Sequence, residues 1–151
     1  MGDYTELVLA CELSKETPET FITLIKWCID GDQSLRQHIS IEEQGFRGVL
    51  YSDSAYFPYK AHSTLNYVSR SNAYQLSVRA NMKNYDNFIY FFIVAISVHA
   101  ITDGFVGYER SEYSDDPNLI YFQEGKVYLA MPPSYTKQEL YKDTDGYKIK
   151  K

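Results

Sequence analysis

The sequence contains little of what disulfide-bonded or metal-binding proteins require. Cys11 and Cys28 are its only cysteines, they form no C-x-x-C pair, and there are three histidines. Because no signal-peptide pattern precedes the cysteines, they indicate buried thiols in a reducing, cytoplasmic compartment. The scattered ligand residues predict no metal and no cofactor.

Long apolar runs are also absent. The longest candidate, Phe88–Ala100, has about thirteen residues and is interrupted by Ser97 and His99. A membrane-spanning helix needs ~18–20 apolar residues, so we expect no membrane partner. The net charge of −5 argues against a general attraction to nucleic acid, although it leaves room for a local basic patch.

Recognisable catalytic motifs are missing as well. The sequence has no G-x-S-x-G elbow and no P-loop. His62 and Ser63 are adjacent, and neighbours on a strand point to opposite faces, so a His–Ser pair there is geometrically poor. We therefore expect no catalytic residues of a known type. The enzymatic alternative left open is an unfamiliar site centred on Tyr56, His62 and Glu109.

Aromatic residues are what the sequence has in excess. It contains fifteen Tyr and eight Phe, and aromatics make up 16% of its 151 residues. We do not expect all of these rings to fit in one core. Since tyrosine offers a large and stiff contact, we expect some rings to form a binding surface.

Hydrophobic periodicity predicts one α+β domain. The predicted strands are Glu6–Leu13, Phe46–Ser52, Thr64–Val68, Ala73–Met82, Gly104–Glu112, Leu119–Gln123 and Lys126–Ala130. The predicted helices are Pro18–Asp30, ended by Gly31, and Asn87–His99, capped by Asp86, with a loop or short helix near Leu35–Ile39. This order favours an antiparallel sheet of six or seven strands with two helices on one face. Its first part has the ferredoxin-like β-α-β-β-α-β order, to which an extra hairpin is added.

The domain is expected to span residues 1–131. Pro132 and Pro133 follow, and residues 132–151 are polar and rich in lysine. We expect this segment to be a C-terminal tail, or to form a short helix near Lys137–Lys142.

Several segments together resemble a family of small uncharacterised bacterial and phage proteins, over about residues 3–123. They are Asp3–Leu7, Ser54–Pro58 with His62 and Ser63, Arg79–Asp86, and Phe105–Arg110. The resemblance implies a mobile-element origin and no particular activity. The chain departs from it at Phe88–Ile96, which is almost wholly apolar where the family has an amphipathic helix with acids.

This apolar helix and a set of acidic residues predict protein binding. A helix that is apolar on every side is either buried within the domain or covered by a partner. We interpret the chain as a non-enzymatic interaction module and a homodimer, such as a phage-type inhibitor of a host defence or nucleic-acid enzyme. The residues expected to contact a host or self protein are Phe88, Phe91, Phe92, Glu109, Glu112, Tyr113, Asp115 and Asp116.

The alternative is a domain that binds a nucleotide or RNA on an aromatic sheet face. Tyr108 and Arg110 share one strand face, and Arg79 faces outward on another strand. Ferredoxin-like sheets can stack bases on such rings. The expected ligand-binding residues are Tyr67, Arg79, Tyr108 and Arg110. Acids nearby, including Glu109, would repel phosphate, so nucleic acid is the less favoured partner.

Overall fold

The structure is a computed structural model that describes residues 3–30, 39–83 and 87–150. These residues form eight strands and three helices, which confirms the α+β class but exceeds the predicted number of both elements. The strands are β1 Tyr4–Ser14, β2 His62–Val68, β3 Ala73–Lys83, β4 Gly104–Ser111, β5 Asn118–Gln123, β6 Lys126–Ala130, β7 Lys137–Asp143 and β8 Gly146–Ile149. The helices are α1 Glu19–Asp30, α2 Ile41–Tyr51 and α3 Phe88–Ser97. None of these helices is long and apolar enough to cross a membrane.

The strands form one antiparallel sheet in the order β2-β3-β1-β4-β5-β6-β7-β8. Strand β1 pairs with β3 along its whole length, from Tyr4 opposite Lys83 to Ser14 opposite Ala73. Its other edge pairs with β4, with Leu7 opposite Glu109. Strand β1 therefore lies between β3 and β4. These strands and β2 form the half of the sheet whose strands are connected by the helices.

The two faces of the sheet have different surroundings. In β1, Leu7, Leu9 and Leu13 are buried in the hydrophobic core with residues of all three helices. We call this side the helix face. The opposite side, which carries Val8 and Arg79 and bears none of the described helices, is called the open face. Alternation along each strand therefore separates core residues from candidate binding residues.

The second predicted strand is wrong, because Phe46–Ser52 belongs mostly to α2. The sequence Ser40-x-x-Glu43 forms a capping box in which the Ser40 Oγ accepts from the Glu43 amide at 3.1 Å. Phe46, Val49 and Leu50 then fall on one helical face and are buried. The predicted flanking residues Gly31 and Asp86, and most of the region near Leu35–Ile39, lie outside the described residues.

The C-terminal segment is also different from its prediction. Instead of a tail or a helix, it supplies β7 and β8, which extend the sheet at one edge. Leu140 is buried opposite Val127 of β6, and it anchors the added hairpin to the core. The polar residues that suggested a tail are typical of edge strands, which are half exposed and often carry lysine.

Helix α3 is apolar because it is covered by its own chain. Phe92 is fully buried, and Phe46 of α2 contacts both Phe92 and Phe91, with ring centroids 5.2 and 5.3 Å apart. On another side, Tyr90 meets Tyr147 of β8 at 6.5 Å between ring centroids. Phe88 and Phe91 are half-buried. The homodimer was expected because α3 is apolar. Contacts within the chain account for that apolar character, so it does not require a second copy.

Candidate functional site

A bulge in β4 places two aromatic rings on the open face. Phe105 pairs with Tyr121 of β5 and Tyr108 pairs with Leu119, with one extra residue between Phe105 and Gly107. Residues three apart on a regular strand point to opposite faces, but the extra residue in the bulge shifts the alternation by one position. Phe105 and Tyr108 consequently lie on the same side, and Phe105 is 56% exposed.

These rings line a cavity of about 480 Å³ over strands β3, β1 and β4. The register aligns His62 with Arg79, Arg79 with Val8, and Val8 with Tyr108. Directly paired residues share a face, so the imidazole, the guanidinium and the phenol form one row across the sheet. The polar and aromatic residues that line it are Lys60, His62, Ser77, Arg79, Phe105 and Tyr108.

The segment before β2 is fastened to the open face beside this cavity. The Tyr59 hydroxyl donates to Glu6 Oε2 at 2.9 Å, and the Arg79 guanidinium lies 4.1 Å from the centroid of the Tyr59 ring. Burial, reinforced by the bond to Glu6, raises the pKa of Tyr59, so the phenol stays protonated and keeps donating. Tyr59 thereby supports Arg79 at the edge of the cavity.

Arg110, a predicted ligand residue, is already engaged. Its Nε donates to Glu6 Oε1 at 2.8 Å, and its guanidinium lies 5.4 Å from the centroid of the Phe57 ring. Glu6 is almost fully buried and therefore needs this cation as a partner. Arg110 thus neutralises Glu6 and holds the segment that carries Tyr59, and it does not line the cavity.

Tyr67 is placed apart from the other predicted ligand residues. It shares its side of β2 with Leu65, which is buried in the core, and so it belongs to the helix face. Its ring meets Tyr74 at 5.2 Å and its hydroxyl donates to Asn72. Of the four predicted residues, the structure brings Arg79 and Tyr108 together. It adds Lys60, His62 and Phe105, which sequence reasoning missed as ligand residues.

Glu109, predicted to contact a partner, faces the core. It is 4% exposed, and its Oε1 accepts from the Tyr90 hydroxyl at 2.8 Å and from Asn118 Nδ2 at 3.2 Å. Burial raises the pKa of Glu109 above the ordinary glutamate range, against the opposing effect of these two hydrogen bonds. A carboxyl held inside the sheet in this way cannot form part of a docking surface.

The rest of the predicted acidic surface is a loop between β4 and β5. Glu112 is half-buried, and its Oε1 accepts from the Tyr4 amide at 2.9 Å. Tyr113 is 82% exposed, and Asp115 and Asp116 are exposed beside it. The predicted partner residues therefore divide into a buried or half-buried group, made of Glu112 and the residues in α3 and β4, and an exposed group made of Tyr113, Asp115 and Asp116.

The raised pKa of Glu109 predicts a specific pH dependence. The folded chain keeps a proton that an unfolded glutamate, with a pKa of about 4.3, releases. The contribution of Glu109 to the free energy of unfolding should therefore be fully present below that value and be lost as pH rises through the raised folded-state pKa. Glu109→Gln still accepts from Tyr90 and cannot ionise, so it should remove this loss and raise the melting temperature above pH 7.

The measurement is thermal unfolding of the native protein and of Glu109→Gln between pH 4.5 and 8. The exposed Glu16 provides a matched control, since Glu16→Gln should leave the shape of the native curve unchanged. Curves for Glu109→Gln and the native protein that stay parallel over the whole range would show that Glu109 ionises normally in the folded state.

The residues of the enzymatic alternative are not assembled into a site. His62 is on the open face, whereas Glu109 is on the helix face opposite Leu7. Tyr56 stacks on Tyr4, with ring centroids 4.4 Å apart. Within the described residues, no group of three or more His, Cys, Asp or Glu side chains is arranged to hold a metal ion.

The two cysteines are free and buried, as predicted. Burial raises the pKa of each thiol to about 12, which keeps both protonated and unreactive at neutral pH. They therefore take no part in the cavity of the open face.

Comparison with known proteins gives no match to a protein-family model, a curated sequence or a solved structure.

Proposed function

We propose that the protein is a non-enzymatic binding module whose open face holds a nucleotide or a similar flat, anionic ligand. The observation that carries the proposal is the cavity, in which Phe105 and Tyr108 lie beside Lys60 and Arg79. Aromatic rings stack on nucleobases, and lysine and arginine bind phosphate through charge-assisted hydrogen bonds. The two kinds of group stand close enough for one ligand to reach both.

The accessibility of these groups supports binding over a structural role. Phe105 is more than half exposed although it is a large apolar side chain, and Lys60 and Arg79 are exposed as well. Exposed aromatics grouped in a concave surface are typical of ligand sites. The strand order β2-β3-β1-β4 supports a ferredoxin-like arrangement, in which the open face is the surface that receives bases.

The electrostatics of the cavity also favour an anion. Among the acids expected to repel phosphate, Glu109 is on the other face of the sheet. Glu6 lies on the open face but is paired with Arg110 and hydrogen-bonded by Tyr59. Glu12 lies further along β1, beyond Ala10. Lys60 and Arg79 line the cavity, and no acidic residue is among its lining.

The test is nucleotide binding by isothermal titration calorimetry, with nucleoside monophosphates compared with the matching nucleosides. We expect the monophosphates to bind more tightly, and Phe105→Ala to weaken binding at least fivefold, since a stacked base contributes about 1–3 kcal/mol. Arg79→Gln should remove the preference for the monophosphate.

Two control variants exclude nonspecific effects of these changes. Arg70 is exposed in the turn between β2 and β3, and Tyr113 is exposed in the β4–β5 loop, both outside the cavity. Arg70→Gln and Tyr113→Ala should bind as the native protein does. Absence of binding at millimolar nucleotide, or equal losses in Arg70→Gln and Arg79→Gln, would refute the proposal.

A second candidate function is protein binding through the β4–β5 loop, as in an inhibitor of phage type. The observation that favours it is the exposure of Tyr113 next to Asp115 and Asp116, because tyrosine is enriched at interface hot spots. A protein that co-purifies stoichiometrically should then be lost with Tyr113→Ala and retained with Phe105→Ala. The reverse pattern would exclude the loop as the contact.

A further inference from the structure

We propose, resting on the function proposed above, that the ligand is single-stranded nucleic acid that crosses the strands of the open face from β3 towards β7. In this arrangement the cavity receives one nucleotide, and Tyr121 and Tyr128 form a second stacking position. The cations of β6 and β7 contact the phosphates that follow.

The rings are aligned across neighbouring strands. Phe105 of β4 is directly opposite Tyr121 of β5, and Tyr121 is directly opposite Tyr128 of β6. Directly opposite residues lie on the same face, so all three rings are on the open face. The rings of Phe105 and Tyr121 are in contact, with centroids 5.7 Å apart. With strands spaced by about 4.8 Å, the row extends about 10 Å from Phe105 to Tyr128.

Positive charge continues beyond the rings. Lys137 of β7 places its Nζ 5.1 Å from the centroid of the Tyr121 ring. Lys126 and Lys150 lie 3.8 and 3.9 Å from the same carboxylate, that of Glu139. One negative charge is thus shared by two lysines, so Lys126, Lys137 and Lys150 together with Glu139 carry a net charge of +2 in a chain whose net charge is −5.

A row of rings with a cation at each end fits a single-stranded polyanion that carries bases. Cations occur at both ends of the row, at Arg79 and at Lys137, with aromatic rings between them. From β3 to β7 the surface crosses five strand spacings, or about 24 Å. This length suits a segment of about four nucleotides, the lower end of the range for single-stranded binding surfaces.

The experiment measures fluorescence anisotropy of labelled oligothymidylates of two, four and eight nucleotides. We expect affinity to rise at least tenfold between two and four nucleotides, and Tyr128→Ala to remove most of that gain. Lys137→Gln should reduce the slope of log affinity against log salt by about 0.7. The control Lys26→Gln changes an exposed lysine of α1 and should leave both quantities unchanged.

The outcomes separate this inference from the proposed function. Mononucleotide binding that depends on Phe105, together with affinity that does not rise with length or a neutral Tyr128→Ala, would overturn the extended path and leave the cavity as the site. Equal competition by inorganic polyphosphate would also overturn it, because the rings would then contribute nothing. Absence of binding by mononucleotides and oligonucleotides would refute both.

Discussion

Replacement of Gly107 by alanine is expected to lower the free energy of unfolding by about 3 kcal/mol or more, the upper range for overpacked sites. A Cβ atom at this position would lie 2.0 Å from the carbonyl oxygen of Val8 and 2.8 Å from the Cα of Leu9. Both atoms belong to the backbone of β1, which is paired on both edges and cannot move aside without breaking a ladder. Urea denaturation followed by circular dichroism measures the loss.

Gly48 provides the matched control for this substitution. A Cβ atom there would lie 3.0 Å from the terminal methyl group of Met82, which can rotate away. Gly48 is inside α2, where alanine is favoured over glycine by about 1 kcal/mol. Gly48→Ala should therefore be neutral or slightly stabilising. If Gly107→Ala were equally well tolerated, the close approach of β4 to β1 would not exist as described.

The consequence of this close approach extends to the candidate site. Gly107 lies at the bulge that brings Phe105 and Tyr108 to one face. A variant of Gly107 that still folds must shift β4 away from β1, and this shift would separate the two rings from Arg79. The same contact thus contributes to stability and to the shape of the cavity.

Most of the sheet could be predicted because its strands carry a clear alternation. Leu7, Leu9 and Leu13 in β1 mark one buried face, and Leu76 and Val78 do the same in β3. By contrast, the stretch Phe46–Ser52 is short enough for apolar residues to fit a strand or a helix, and the capping residues Ser40 and Glu43 decide between them. The edge strands β7 and β8 are polar because one of their sides is solvated, so the sequence pattern does not distinguish them from a tail.

The candidate site could be predicted only in part, because it depends on contacts between distant segments. The alternation along β4 places Glu109 on the opposite face from Tyr108 and Arg110. Only the pairing of Glu109 with Leu7 shows that Glu109 is the residue that faces the core. The partner of Arg110 is Glu6, more than a hundred residues away in the sequence. The pairing across β4, β1 and β3 that brings Phe105 near Arg79 is likewise set by tertiary structure.

Replacement of Phe92 by alanine is expected to cost about 3–5 kcal/mol of stability, as large aromatic side chains in cores do. Phe92 is 0% exposed and packs edge-on against Phe46, whereas Phe91 is half-buried at the side of the same helix. Phe91→Ala should therefore cost clearly less. Both substitutions replace a phenylalanine of α3 by alanine. Urea unfolding of the two variants therefore compares a fully buried position with a half-buried one.

The protein concentration at which these measurements are made tests how α3 is covered. If the chain covers α3 by itself, the unfolding midpoint should not change over a hundredfold range of concentration. An obligate dimer would instead unfold at a midpoint that rises with concentration, because association stabilises the folded state by mass action. A rising midpoint, together with a loss for Phe91→Ala as large as that for Phe92→Ala, would mean that a second copy covers the helix. The contacts of α3 with Phe46 and Tyr147 predict the first result.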